Sequence, residues 1–190
     1  MLTSKCTIWR TAARDLSRSL RIKPSMINTI EQFEERLVNL NPAANDFVLH
    51  ADELIEALSP EIADSVYLPI LRFFEANPEA DCGAPGALVH HVESYFPNYV
   101  VALKDSVRRT PSYNGVLMIN RILNSNLTAT DRAEYMGLLN AVLTHRSATP
   151  QIIEMTRRFI KRRNTIDSEQ PGSVGRDQKA SQDGYTAAKP

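Results

Sequence analysis

Residues 26–40 read MINTIEQFEERLVNL, and this stretch carries the pattern that decides the fold. Its large apolar side chains recur at spacings of three and four residues, which places them on one face of an α-helix. They are Ile27, Ile30, Phe33, Leu37 and Leu40. Thr29 and Gln32 have the spacing of a capping box, so we predict that Thr29 caps the start of this helix.

Helical patterns of the same kind continue as far as residue 166, and no run of alternating apolar residues predicts a strand. The further helices are predicted at 45–58, 59–76, 87–95, 99–109, 114–124, 129–145 and 151–166. A proline after Ser or Thr marks three helix starts, at Ser59-Pro60, Thr110-Pro111 and Thr149-Pro150. Pro69 lies inside the helix predicted for 59–76, so we expect a kink or a break near Tyr67.

These patterns predict an all-α fold built from antiparallel helix pairs. The start signals at Thr110 and Thr149 are 39 residues apart, which is close to the ~40-residue period of HEAT-like repeats. A HEAT-like repeat is therefore one form that the fold could take. An irregular helical bundle is the other.

Composition divides the chain into three parts. Residues 1–25 form a basic N-terminal extension with weakly amphipathic spacing, and we interpret them as the product of an upstream start codon. A transit peptide or a membrane-surface segment is the alternative for this extension. Residues 26–166 form the helical domain. Residues 167–190 are polar and almost without large apolar side chains, so we predict a disordered tail.

The formal net charge is zero, but the charges are segregated along the chain. Residues 26–95 hold 13 acidic and two basic residues, a net charge of −11. Residues 96–164 hold four acidic and 11 basic residues, a net charge of +7. Fields of opposite sign can steer charged partners. The alternative is that the two halves neutralise each other within the domain.

Residues 81–97, DCGAPGALVHHVESYFP, hold the side chains most suggestive of chemistry. A helical wheel places His90, His91 and Glu93 on the polar side of the helix predicted for 87–95. Adjacent histidines on a helix point about 100° apart and cannot both reach one metal ion, so we predict no metal site and no cofactor. Cys82 has no evident base beside it, so we predict no catalytic nucleophile and no enzyme activity. His90 and Glu93 are three residues apart, could form a surface pair, and are candidates for contact with a partner.

Residues 110–125, TPSYNGVLMINRILNS, give a second candidate contact surface. A helical wheel puts Val116, Met118, Ile119, Ile122 and Leu123 on the buried side. The opposite side carries Tyr113, Leu117, Asn120, Arg121 and Asn124. Tyrosine and arginine are enriched among interface anchors, which favours a contact role. The alternative is that Asn120 and Asn124 cap or bridge neighbouring helices and that Leu117 belongs to the core.

Other classes of partner receive little support from the sequence. The basic run RRFIKRRN at 157–164 has no interleaved aromatic residues, so we expect no nucleic-acid partner. No apolar run approaches the ~20 residues of a membrane span, so we expect no membrane partner. The two isolated cysteines fit a reducing cytoplasm, where we place the protein.

Three segments together resemble a known family. They are GAPGALVHHVESY, VALKDSVRRTPSYNGVLMINRILNS and YMGLLNAVL. The chain from about Met26 to Phe159 is similar to small helical immunity proteins of bacterial polymorphic toxin and contact-dependent growth inhibition systems. The most specific matches are Pro85-Gly86 with Leu88, Val89 and His90, and Arg109-Thr110-Pro111 followed by Asn120-Arg121.

The resemblance implies an inhibitor that binds the C-terminal domain of its cognate toxin in the cytoplasm. Such a protein needs neither catalysis nor a cofactor. Many toxin domains act on nucleic acid and have a basic surface, which the acidic half of this chain could occupy. The acidic candidates for that contact are Asp52, Glu53 and Glu56. The alternative function is a HEAT-like adaptor that holds two other proteins.

Overall fold

A computed structural model describes residues 25–83 and 85–169, with side chains described as far as residue 165. In these ranges the chain forms α1 (Ile30–Val38), α2 (Phe47–Glu56), α3 (Tyr67–Ala76), α4 (Ala87–Glu93), α5 (Val100–Arg109), α6 (Tyr113–Ile122), α7 (Ala129–Val142) and α8 (Pro150–Glu169). Extended backbone pairs in one place within the same ranges, as a parallel bridge between Ile27 and Leu58. The predicted all-α class is confirmed.

The helices pack in the order expected of stacked helix pairs. Each of the pairs α1–α2, α3–α4, α5–α6 and α7–α8 is in contact. The odd-numbered helices also contact one another in chain order, as α1–α3–α5–α7, and so do the even-numbered ones, as α2–α4–α6–α8. The fold therefore has two layers, which we call the odd layer and the even layer. The four pairs thus stack on one another in chain order.

Because each pair stacks on the next in chain order, segregation of charge along the chain becomes segregation in space. The acidic residues 26–95 build the first two pairs, α1 to α4. The basic residues 96–164 build the last two pairs, α5 to α8. One end of the stack is thus acidic and the other is basic.

The predicted apolar faces form the core between the layers. On α6 and at its C-terminal end, Val116, Met118, Ile119, Ile122 and Leu123 are all buried, as the helical wheel requires. At the start of the stack, Ile27, Phe33 and Leu37 are buried as well. Among the helices of the described ranges, none combines the length and the apolar character that crossing a membrane needs.

Two of the predicted helix starts are confirmed by their hydrogen bonds. At α1, Thr29 Oγ1 accepts from Gln32 N at 3.3 Å, and Gln32 Oε1 accepts from Asn28 N at 3.0 Å. These are the two halves of a capping box, the second displaced by one residue. At α8, Pro150 is the first helical residue and Thr149 Oγ1 accepts from Ile152 N at 3.5 Å.

The predicted helix start at Ser59-Pro60 is wrong. Residues 60–66 form turns, and α3 begins at Tyr67. Ser59 N donates to Ile27 O at 2.9 Å beside the isolated bridge, which holds the backbone extended there. The expected break near Tyr67 is confirmed. Pro69 becomes the third residue of α3, where a helix has no acceptor for the missing N–H, so the proline costs little there.

Several other helix boundaries also differ from the prediction. α2 occupies Phe47–Glu56 and is shorter than predicted at both ends. α4 and α5 are separate helices, because residues 94–99 form turns that include a cis peptide bond before Pro97. α6 begins after Ser112, whose Oγ accepts from Gly115 N at 3.1 Å, so Ser112 is the cap in place of Thr110.

The two predicted terminal segments fall almost wholly outside the described residues. Residues 1–24 of the basic extension and residues 170–190 of the polar tail lie there. Ser25, the last residue of the extension, accepts a hydrogen bond from Arg36 Nη2 at 2.6 Å. α8 continues to Glu169, three residues past the predicted end of the helical domain.

Candidate partner-binding surface

All ten residues predicted to contact a partner lie on the even layer. The set is Asp52, Glu53 and Glu56 of α2, His90 and Glu93 of α4, Tyr113, Leu117, Asn120 and Arg121 of α6, and Asn124 just after α6. α4 packs against both α2 and α6, whereas α2 and α6 do not contact each other. Three groups that are distant in sequence therefore lie side by side in one layer.

The α2 surface joins exposed acidic and apolar side chains. Asp52 and Glu56 are exposed one helical turn apart, and neither forms an ion pair with a described residue, while Glu53 is half-buried. One turn earlier, Val48 and Leu49 are 47% and 40% exposed. This surface combines an apolar contact with a negative field, which suits a partner that is basic around an apolar spot.

An ion pair links the α4 and α6 parts of the candidate set. Arg121 Nε donates to Glu93 Oε1 at 2.5 Å, and Arg121 Nη2 donates to Glu93 Oε2 at 2.8 Å. His90 Nδ1 lies 3.9 Å from Glu93 Oε2, close enough for a charge interaction but too far for a hydrogen bond. Glu93 therefore pairs mainly with Arg121, through two hydrogen bonds, and only more weakly with His90. The positions of Glu93 and Arg121 in the sequence do not indicate that they pair.

The Glu93 carboxylate also influences the core. The hydrogen bonds that Arg121 donates to Glu93 raise the pKa of the Arg121 guanidinium above its usual value. Burial, with a smaller contribution from the negative charge of Glu93, raises the pKa of the nearby Tyr99 phenol to about 12. Glu93 is thus both a member of the surface and a fixed support of α4 against α6.

Asn120 and Asn124 bridge helices, which is the alternative that the sequence left open. Arg163 of α8 is 6% exposed. Its guanidinium donates to Asn120 Oδ1 at 3.2 Å, to Asn120 O at 3.1 Å and to Leu123 O at 3.3 Å, and it also bonds Asn124 Oδ1. A buried cation therefore satisfies carbonyl groups at the C-terminal end of α6. This leaves the amides of the two asparagines partly committed within the fold.

Tyr113 and Leu117 are half-buried on α6. Tyr113 N donates to Pro78 O at 2.7 Å, which ties the start of α6 to the loop that follows α3. The partial exposure of both side chains leaves area for contact with a partner. It also agrees with the alternative in which Leu117 packs against the core.

The helical wheel assigned His91 to the polar side of α4, and this assignment is wrong. His91 is half-buried, and its Nε2 donates to Ala63 O at 2.8 Å. Its ring also meets the Tyr95 ring edge-on, with 5.3 Å between centroids. Burial lowers the pKa of His91, so the neutral ring is favoured. The turns at 60–66, which the sequence predicted as helix, are what cover it.

The loop before α4 is built around Cys82. Cys82 has a positive φ of 50° and Gly83 one of 102°, so the chain turns tightly before α4. The Cys82 side chain is 5% exposed, and burial raises the pKa of its thiol to about 11. A thiol with this pKa forms little thiolate at neutral pH, the reverse of what activates a nucleophile. In the described ranges, no group of three or more His, Cys, Asp or Glu side chains is placed to hold a metal ion.

Arg163 is a neighbour of the candidate surface that the sequence prediction did not include. The spacing of residues along α8 nevertheless indicates that Arg163 is buried. Ile152 and Thr156 are buried, Phe159 and Ile160 are half-buried, and Arg163 continues the same stripe. A basic residue on an apolar stripe indicates a buried cation with internal acceptors.

Comparison with known proteins finds no matching family model, no matching curated protein and no matching solved structure.

Proposed function

We propose that this chain is an immunity protein that binds and neutralises the C-terminal domain of a cognate bacterial toxin in the cytoplasm. It acts by contact alone, by covering the active site or an essential surface of the toxin. The even layer supplies the contact surface. Its acidic α2 end faces basic groups of the toxin, and the α4–α6 region completes the contact.

One observation carries the proposal. Of ten residues chosen from separate parts of the sequence, nine lie on three adjacent helices of one layer, and the tenth, Asn124, directly follows one of these helices. Stacked helix pairs present such a layer as a continuous surface for another macromolecule. The exposed carboxylates of Asp52 and Glu56 lack a partner among the described residues, so their field is available to an incoming basic protein.

A second candidate function is an adaptor that holds two other proteins. The two-layer stack favours it, because such stacks commonly serve as scaffolds and this one has an acidic and a basic end. The genetic neighbourhood separates the two functions. An immunity gene normally lies beside its toxin gene, whereas an adaptor needs no toxin nearby.

Charge reversal on α2 tests the proposed contact. We expect the double variant Asp52→Lys, Glu56→Lys to associate with the toxin domain at least about ten-fold more slowly at low salt, because steering is lost. At about 0.5 M salt the double variant should associate only about two-fold more slowly than the wild type, because the salt screens the charges of both chains. Stopped-flow measurements of the association rate at several salt concentrations give both numbers.

The matched control is Glu31→Lys, Glu35→Lys on α1. Both acids are exposed on the odd layer, and this variant changes the net charge by the same amount. We expect it to slow association by less than about three-fold at low salt, because its charges act at longer range. Equal deficits in the two double variants would remove the α2 surface from the interface.

A further inference from the structure

The odd layer has two adjoining surface grooves that the proposed function does not use. The first lies between α1 and α3, has a volume of about 300 Å³, and is lined by apolar residues that include Leu37, Val38, Pro69 and Phe73. The second lies between α3 and α5 and has a volume of about 390 Å³. Arg72 lines both grooves, so they are the two sides of one ridge formed by α3.

Large apolar side chains project around these grooves. Val38 of α1 is 75% exposed, Leu68 of α3 is 44% exposed, and Val101 of α5 is 69% exposed. Single exposed apolar residues are ordinary on a protein surface. Here three of them lie on three consecutive helices of one layer, and each lines one of the two grooves. A cluster of exposed apolar side chains of this kind marks an interface.

The charged residues that line the grooves are already paired within the chain. Arg72 Nη1 lies 3.7 Å from Glu34 Oε1. Arg109 donates to both carboxylate oxygens of Glu75, at 3.0 Å and 2.7 Å. Asp105 accepts from Arg108 at 3.1 Å. The charges that line the two grooves are therefore neutralised within the chain, in contrast to the carboxylates of Asp52 and Glu56 on α2, which form no ion pair with a described residue.

We propose that this surface binds a second copy of the same chain. A two-fold dimer brings identical patches together, so any net charge on the patch meets the same charge on the partner. The paired charges along the two grooves keep this repulsion small, whereas the carboxylates of α2 would face each other. A strongly basic toxin would gain no charge complementarity from a neutral patch. A second copy therefore fits the odd layer better than the toxin does.

The dimer joins odd layers and leaves both even layers open. Each dimer then presents two separate toxin-binding surfaces. Its formation needs no toxin, so self-association and toxin binding succeed or fail independently.

Analytical ultracentrifugation of the full chain, without any toxin, tests the proposal. At about 200 µM we expect a mass of twice the 21.3 kDa of one chain. The single variants Val101→Glu and Val38→Glu should each weaken self-association at least about thirty-fold, because each puts a charge into the apolar contact. Both positions are highly exposed, and two variants are used in case one of them fails to fold. Circular dichroism checks that each variant is folded.

The control is Val48→Glu, a variant of a valine 47% exposed on α2 of the other layer. It should leave the mass of the dimer unchanged. A wild-type chain that stays monomeric at about 200 µM overturns the proposal. A dimer that persists in both Val101→Glu and Val38→Glu also overturns it. The same holds if Val48→Glu weakens the dimer as strongly as Val101→Glu and Val38→Glu do.

Discussion

The substitution Gly86→Ala is expected to lower the free energy of unfolding by about 2–4 kcal/mol, because the new methyl group has no room. A Cβ at this position would lie 2.0 Å from Cys82 O and 3.4 Å from Gly83 Cα, and both are backbone atoms that no side-chain rotation can move. Cys82 and Gly83 turn the chain tightly just before this point, and Gly86, the residue that precedes α4, lies against their backbone. Urea unfolding at equilibrium measures the change.

The control for this prediction is Gly137→Ala, which places the same methyl group on α7. Gly137 is exposed in the interior of the helix, and nothing lies within 4 Å of the position that its Cβ would take. We expect this variant to gain about 0.5–1 kcal/mol, because alanine favours the helical backbone over glycine. Equal stability of Gly86→Ala and the wild type would show that the loop before α4 does not have this geometry.

The second large effect is expected at Arg163. We expect Arg163→Met to lose about 3 kcal/mol of stability, because carbonyl groups of Asn120 and Leu123 at the end of α6 lose a charged donor. Methionine keeps much of the buried volume, so the loss reports the hydrogen bonds more than the packing. Arg163→Lys should recover only part of the loss, because an ammonium group cannot reproduce the fork of donors.

Arg162→Met is the matched control for Arg163→Met. Arg162 neighbours Arg163 on α8 but is exposed, so its replacement should change the stability by less than about 0.5 kcal/mol. Thermal unfolding followed by circular dichroism compares the three variants. Similar losses in Arg162→Met and Arg163→Met would mean that Arg163 does not hold α8 to α6.

The amphipathic faces were predictable because they depend on local periodicity alone. Phe33 and Leu37 of α1, and Met118 and Ile119 of α6, are buried as their spacing requires. The cap at Thr29 was predictable for the same reason, since its partner Gln32 is three residues away. Local patterns of this kind determined the helical class and most of the core.

The features that the sequence did not predict depend on contacts between distant residues. Ser59-Pro60 has the composition of a helix start, but pairing of Ser59 with Ile27 holds the backbone extended there. His91 has a place on the polar side of a wheel, but the turn at Ala63 covers it. In both cases a contact with a residue about 30 positions away determines the local structure. The periodicity of the sequence gives no indication of that contact.

The candidate surface was likewise predictable from the sequence only in part. The identities of Asp52 and Glu56 and their exposure followed from composition and spacing. That Glu93 pairs with Arg121, and that Arg163 engages both asparagines, required the stacking order of the even layer. The candidate residues were chosen from the sequence alone, and the packing of α4 between α2 and α6 determines how they are arranged.

Co-expression of the full chain with the product of the adjacent gene tests the central claim, which is that this protein works by binding a toxin. The account predicts restored growth of cells that the neighbouring gene product alone arrests, and a stable complex of the two chains on purification. Continued growth arrest together with two chains that purify separately would contradict it.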